Sequence, residues 1–366
     1  MGVRSRTLEG VGLMGCLVDP SFWSGRRVLL TGHTGFKGSW LALWLQMMGA
    51  KVTGFSLAPE TDPSLYALAR LDRDFPDSFG DIRDARVLQA VVAKARPQVV
   101  LHMAAQPLVR RSVREPIETF DVNVMGTAHV LEALREVQGI EAILIITTDK
   151  IYENPELGLP FKESDPLGGH DPYSASKAAA ELVTASYART YFEARTVPVA
   201  TARGGNVIGG GDFSEDRIVP DIYRAMRANT PLVLRNPNAT RPWQHVLDCL
   251  EGYVAYAQAL AQGRTLPRAM NFGPVGAADV PVHVLAEAMQ QALGAAQGWV
   301  LAEGPQPREM QALSLDCTRA QQDLGFADHL VGVNAIEATA KWYLAFSRGE
   351  DMRAYTLKSI EEHLSR

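Results

Sequence analysis

Two short stretches carry residue types able to move protons at an alcohol carbon. Tyr173 and Lys177 stand four residues apart, after Asp171-Pro172 and ahead of an Ala-, Glu- and Leu-rich run to residue 191. Asp-Pro is a helix-start signal, and an i, i+4 pair lies on one helical face. An ammonium beside a phenol favours the phenolate, lowering its pKa. Such a phenol is suited to take a proton from an alcohol as hydride leaves the carbon. Taken alone, Tyr-x-x-x-Lys is also an ordinary surface pair. The second stretch, Thr147-Thr148-Asp149-Lys150, ends an apolar run from residue 142 that reads as a buried strand. Asp149 is either an acid in the chemistry or a strand-end turn residue.

The elements that must position these residues begin upstream. Residues 27–31 read as a buried strand and are followed by Gly32, Thr34, Gly35, Phe36, Lys37 and Gly38, then by an apolar helix over 39–48. Strand, glycine turn and helix together fit dinucleotide binding: glycines let a pyrophosphate approach the backbone at the helix N-terminus. The second strand, 51–55, ends in Ser56-Leu57-Ala58-Pro59. It offers neither the acid that marks NAD nor an Arg that would mark NADP, so that choice stays open. Asp81, next to Ile82, either meets an adenine amino group or caps a helix over 84–96. A strand over 99–102 runs into Met103, Ala104, Ala105 and Gln106, and a long helix over 116–137 carries Asn123. Ligands of open parallel sheets bind at the carboxyl ends of the strands, so these segments should converge on one crevice.

Alternating apolar strands and helices predict an α/β fold, a Rossmann-type doubly wound parallel sheet with a smaller, mostly helical C-terminal substrate domain. The expected division is a disordered leader over 1–20, a dinucleotide domain over 21–202 with a return segment near 244–273, and a substrate domain over 203–366. Residues 203–212 read as a glycine-rich loop. Arg217, Arg235 and Arg241, with Asn206, either clamp a diphosphate or are surface arginines. Helices are expected over 282–293, 318–324 and 335–346.

The 366 residues are 46% hydrophobic and 21% charged, as in a globular protein. A net charge of −5 argues against nucleic acid as the main partner. Cys16, Cys249 and Cys317 form no metal or disulfide spacing, which points to a reducing, cytoplasmic setting, and no metal is expected. No stretch reaches the ~20 apolar residues that span a membrane.

Together, Thr31-Gly32-x-x-Gly35-Phe36-x-Gly38, Asn123-x-x-Gly126-Thr127, Thr148 and Tyr173-x-x-x-Lys177 resemble the extended short-chain dehydrogenases/reductases. The runs 31–40, 104–110, 165–169, 205–212, 216–221, 241–246 and 271–274 resemble the CDP-glucose branch of the nucleotide-sugar 4,6-dehydratases, and they cover nearly the whole chain after Phe22. The resemblance implies NAD as cofactor, held by the glycine loop, Asp81, Ile82, Ala104, Ala105, Tyr173 and Lys177. It implies a nucleotide sugar bound by Gln106, Asn123, Asn206, Arg217, Arg235, Arg241 and Arg308. Tyr173, Lys177 and Thr148 would serve oxidation at the sugar's C4. Asp149 and Lys150 would serve elimination across C5 and C6, with hydride returned to C6 in deoxysugar and O-antigen synthesis. Related dTDP-glucose enzymes carry Asp-Glu at this position; Lys150 acts as base only with a lowered pKa. The resemblance also implies a homodimer or homotetramer joined by the 116–137 and Tyr173 helices, with Ala178, Ala179 and Ala185 allowing close approach. Departures are Arg308 for a common His, Thr148 for Ser and Ile151 for Cys. The competing readings are a dehydratase of another nucleotide sugar, an epimerase or reductase on the same fold, and a silent NAD-binding protein.

Overall fold

The computed structural model describes residues 17–75, 79–275, 280–304 and 313–366; most of the expected leader, and Arg308, lie outside them. Val18 is already in the core and Asp19 caps the helix Pro20–Trp23, so regular structure starts ahead of residue 21.

A six-stranded parallel sheet organises the molecule. Its strands are β1 (Arg27–Thr31), β2 (Lys51–Phe55), β3 (Val99–His102), β4 (Ala142–Thr148), β5 (Val199–Gly204) and the late strand Ala269–Phe272. From one edge the order is Ala269–Phe272, β5, β4, β3, β1, β2. Every pairing is parallel, which needs crossovers that cover both faces. The period-2 alternation is visible in the two cores. Val28, Leu30, Leu101 and Leu144 point into the larger one, whereas Leu29, Val100, Ile143 and Ile145 point into the other.

Register fixes which loops meet. Thr31 lies opposite His102, and His102 opposite Ile145, so the glycine turn after β1 abuts the segment after β3. Gly32, at φ +77°, sits so close that an added Cβ would be 2.6 Å from the Ala104 nitrogen. Thr148 lies opposite Gly204 at the same end of the sheet.

Several elements differ from the sequence reading. The helix after the glycine turn is Phe36–Met47, starting three residues early because Gly35, in extended geometry, is already its N-cap. The 116–137 helix is Pro116–Phe120, a wide π-turn over Asp121–Met125, then Gly126–Leu134. The π-turn adjoins Gly126, where an added Cβ would strike Ile82 at 2.4 Å. The 203–212 stretch is not simply loop: Arg203 lies in β5, and Asn206–Ile208 forms β6, paired in parallel with Trp243–His245.

The glycines after β6 are gripped from two distant parts of the chain. Trp40, in the first sheet helix, donates from Nε1 to the Gly210 carbonyl at 2.9 Å. A Cβ at Gly210 would be 1.9 Å from Cγ of Trp342, on the helix Val333–Ser347. The next residue, Tyr343, donates its hydroxyl to the Asp212 carbonyl.

Candidate active site

Tyr173 is placed by a well-capped helix, Pro172–Tyr187. Pro172 opens it, Asp171 accepts from the Ser174 N–H at 3.0 Å, and Ser112 Oγ accepts from the Tyr173 N–H at 3.1 Å. Thr148 ends β4, and Asp149 and Lys150 follow it, where the chain turns into a short 3₁₀ segment, Asp149–Ile151. These two elements face each other at the carboxyl end of the sheet.

The side chains form one hydrogen-bonded series. The Thr148 hydroxyl, beside the Tyr173 phenol, donates to Asp149 Oδ1 at 2.9 Å. Lys150 Nζ donates to the same Oδ1 at 3.0 Å and to Asn206 Oδ1 at 3.0 Å. Asp149 is fully buried, and its Oδ2 has no hydrogen-bond partner. Both Lys150 contacts are donations.

The expected coupling of Tyr173 and Lys177 takes a different form. Burial pushes the Tyr173 phenol up to about 12, against the Thr148 hydrogen bond. Lys177 donates its Nζ to the Ile146 carbonyl at 2.9 Å, and burial, with repulsion from Lys37, pushes it down to about 8. Desolvation is the leading cause of both shifts, which spacing along a helix cannot reveal.

A cleft of about 610 Å³ opens over this series, lined by Lys37, Thr148, Lys150, Tyr173, Asn206 and Arg217 among others. Arg235 and Arg241 line it too, so the three arginines and Asn206 are brought together. Each is engaged: Arg217 with Asp212 at 3.1 Å, Arg235 with Asp216 at 2.7 Å, and Arg241 with the Thr240 carbonyl at 2.7 Å. Arg110 binds the same Asp216 at 3.0 Å. Arg110, Asp216 and Trp243 reach the cleft without having been given a role in the sequence, although they lie within the 104–110, 216–221 and 241–246 runs.

Other expected site residues do different work. Gln106 and Asn123 are buried and engage each other: the Gln106 N–H donates to Asn123 Oδ1 at 2.8 Å, and Asn123 Nδ2 donates to Ser176 at 2.9 Å. They brace the loop after β3 and do not line the cleft. Asp81 forms a two-point ion pair with Arg83, at 2.6 Å for the closer contact. The helix cap is Asp84, which accepts from the Arg86 and Val87 N–H groups. Ile82 is buried beneath Gly126. Ala178 is also spent internally, against Ile151, Phe161 and Leu313.

The glycine turn fits a dinucleotide phosphate. An added Cβ at Gly38 would lie 2.0 Å from the Gly32 carbonyl oxygen, so Gly38 is fixed by packing. Gly35 is exposed, and its added Cβ would meet nothing nearer than 3.5 Å. No side chain caps the helix that Gly35 starts, leaving its first-turn N–H groups for an anion. Thr34 reaches Ser56 at 2.8 Å and the Leu57 carbonyl at 2.9 Å, so hydroxyls mark the end of β2.

Residues 29–336 match the family described as GDP-mannose 4,6 dehydratase. The chain is 43% identical over 355 residues to the CDP-glucose 4,6-dehydratase of Salmonella typhimurium, covering 95% of this chain and 99% of that one. It is 31% identical to the dTDP-glucose 4,6-dehydratase of Streptomyces antibioticus, covering 86% of this chain and 92% of the relative. Among solved structures, the UDP-glucose 4-epimerase of Thermus thermophilus, in complex with NAD, superimposes with a TM-score of 0.74 at 26% identity, covering 87% of this chain and 99% of that one.

Proposed function

Because this chain belongs to the GDP-mannose 4,6 dehydratase family, we propose that it is a NAD-dependent lyase converting CDP-glucose to CDP-4-keto-6-deoxyglucose. One observation carries the reading: beside Tyr173, the side chains of Thr148, Asp149 and Lys150 form a hydrogen-bonded series, and Tyr173, Thr148 and Lys150 line the cleft. A simple oxidoreductase needs the first two; elimination of water needs a further acid and base. The CDP-glucose assignment rests on the 43% identity to the Salmonella enzyme.

Bound NAD supplies a hydride acceptor and donor that is restored each turn. The uncapped helix start at Gly35 and the close glycine packing are the features that would hold it. Tyr173 takes the proton of the sugar 4-hydroxyl, and Thr148 orients the phenol. With a ketone at C4, the C5 proton is acidified. Lys150 removes it and Asp149 protonates the departing 6-hydroxyl. Because Asp149 Oδ1 accepts from both Thr148 and Lys150, its free Oδ2 is the oxygen suited to carry that proton. Arg217, Arg235 and Arg241 hold the diphosphate, with Arg110 and Asp216 fixing Arg235 in place.

In this reading residues 21–202, with the return strand Ala269–Phe272, hold NAD, and 203–366 hold the nucleotide sugar. The enzyme works in the cytoplasm, in deoxysugar and surface-polysaccharide synthesis; no described helix is long and apolar enough to cross a membrane. It pairs as a homodimer through an apolar face on adjoining helices: Ile117 is 81% exposed and Leu182 63%, with Val113 and Met125 alongside. Purified protein incubated separately with CDP-, dTDP-, GDP- and UDP-sugars tests the assignment. A 4-keto product from CDP-glucose without net NAD consumption is expected. Turnover of a different nucleotide, or epimerised sugar in place of a ketone, would overturn it.

A further inference from the structure

Away from the cleft, the helix Val246–Ala261 meets the helix Met352–Leu364 through ionisable side chains that none of the chemistry above uses. Asp248, Glu251 and His363 are all buried there, and the atoms they offer lie within 4.8 Å of one another. His363 Nε2 is 2.9 Å from Glu251 Oε2, and His329 Nε2 is 3.4 Å from the same oxygen. Asp248 accepts the backbone N–H groups of His329 and Leu330 at 2.8 and 3.0 Å. Among the described residues, neither carboxylate has a Lys or Arg partner within ion-pair distance. Two buried carboxylates this close are costly unless a cation lies between them.

The deciding atom is His363 Nδ1. The side chain is 1% exposed, Nδ1 has no hydrogen-bond partner, and it faces Asp248 Oδ1 across 3.9 Å. Glu251 already meets Nε2, so Nδ1 is the ring atom left to face Asp248. That gap is too long for an N–H···O bond. It is within the span of two donors on one metal ion, each about 2.0–2.2 Å away.

We propose that this cluster is a structural site for one transition-metal dication, gripped by Asp248 and His363 Nδ1. Glu251 orients the imidazole from Nε2, as carboxylates behind metal-bound histidines do. One imidazole nitrogen with carboxylate oxygens suits Zn²⁺ among the common dications. The ion ties the Met352–Leu364 helix to the start of Val246–Ala261, directly after the strand Trp243–His245 that pairs with β6. Its place is therefore behind the cleft wall, outside the reaction.

Chelator-stripped full-length protein titrated with Zn²⁺ alone in a calorimeter tests this, alongside Co²⁺ absorption and thermal melting. One equivalent of Zn²⁺ should bind and raise the melting temperature. Co²⁺ should give visible d–d bands without a thiolate charge-transfer band. His363→Gln should lose that equivalent, and Glu251→Gln should weaken it by about 10–100-fold. Unchanged stoichiometry in both variants would overturn the site. So would a thiolate band, which would put the ion on a cysteine. A wild-type melting temperature indifferent to both Zn²⁺ and chelator would also overturn it, leaving a proton as the cation between the carboxylates. The wild-type measurements decide the matter even if His363→Gln does not fold.

Discussion

At the scale of single residues, Asp149 occupies a double position. It is the acid assigned to elimination, and it also bridges Thr148 and Lys150 through one oxygen. Asp149→Asn keeps an acceptor for Thr148 but cannot deliver a proton. It should cut overall turnover by about 10²–10⁴-fold while a single turnover still forms enzyme-bound NADH, seen by fluorescence. Tyr173→Phe should abolish both signals. If Asp149→Asn stopped hydride transfer as fully as Tyr173→Phe in a folded protein, the acid would belong to the redox step. Lys177 gives a second test, through pH. Burial holds its folded pKa near 8, below the usual 10.5. Below about pH 8 both folded and unfolded chains carry the proton, and the folded chain bears the full cost. Between about 8 and 10.5 only the unfolded chain binds it, so this residue's contribution to stability improves as pH rises through that window. Lys177→Met should flatten that rise in melting temperature. Parallel pH dependence in both proteins would mean Lys177 is not the group.

At the scale of elements, the glycine turn separates packing from ligand contact. Gly38→Ala drives a methyl into the Gly32 carbonyl, so it should destabilise the turn and lose cofactor together. Gly35→Ala makes only an ordinary van der Waals contact, 3.5 Å from the Gly32 carbonyl oxygen. Its ligand-free stability should stay within about 0.5 kcal/mol of wild type while NAD affinity falls, as read by denaturation and by fluorescence titration. Equal NAD affinity in Gly35→Ala would move the phosphate elsewhere. The buried pair Glu181–Arg203, at 2.8 Å, fastens the Tyr173 helix to β5, and Glu181 also accepts from Thr147 and Thr201. Glu181→Ala should cost about 3–5 kcal/mol by stranding Arg203, measured from the denaturant midpoint. A double change to apolar residues should cost less.

At the scale of the whole molecule, Ile117→Glu should leave a monomer in light scattering, because it puts a charge on the apolar face formed with Leu182. A dimer that survived it would bury some other surface. The strands 27–31, 51–55 and 99–102 were legible to the residue because their apolar runs are short and bounded, whereas Val199–Gly204 and Ala269–Phe272 were not read as strands. The order of the central crevice followed from topology. The π-turn at Asp121–Met125 and the strand character of Arg203 were not legible, since both depend on partners far away in sequence, Ile82 and Glu181. Polar residues were harder still. Gln106, Asn123 and Asp81 carry the right chemistry for ligands, and each also satisfies a neighbour in the chain. Arg110 and Trp243 reach the cleft through a fold-level convergence that local spacing does not encode.

The clasp on the Gly209–Gly211 turn has a consequence for synthesis on the ribosome. Trp40 is made early and Trp342 late, yet the turn between them packs against both. Every residue assigned to the chemistry is in place by Lys177, roughly ten seconds or more of elongation before Trp342 emerges. Over that interval the nascent chain holds its full set of reacting groups and lacks the late tryptophan that backs the substrate turn. A chain cut short ahead of Trp342 should therefore retain each catalytic side chain and still be inactive, with Gly210 facing water where an indole ring belongs.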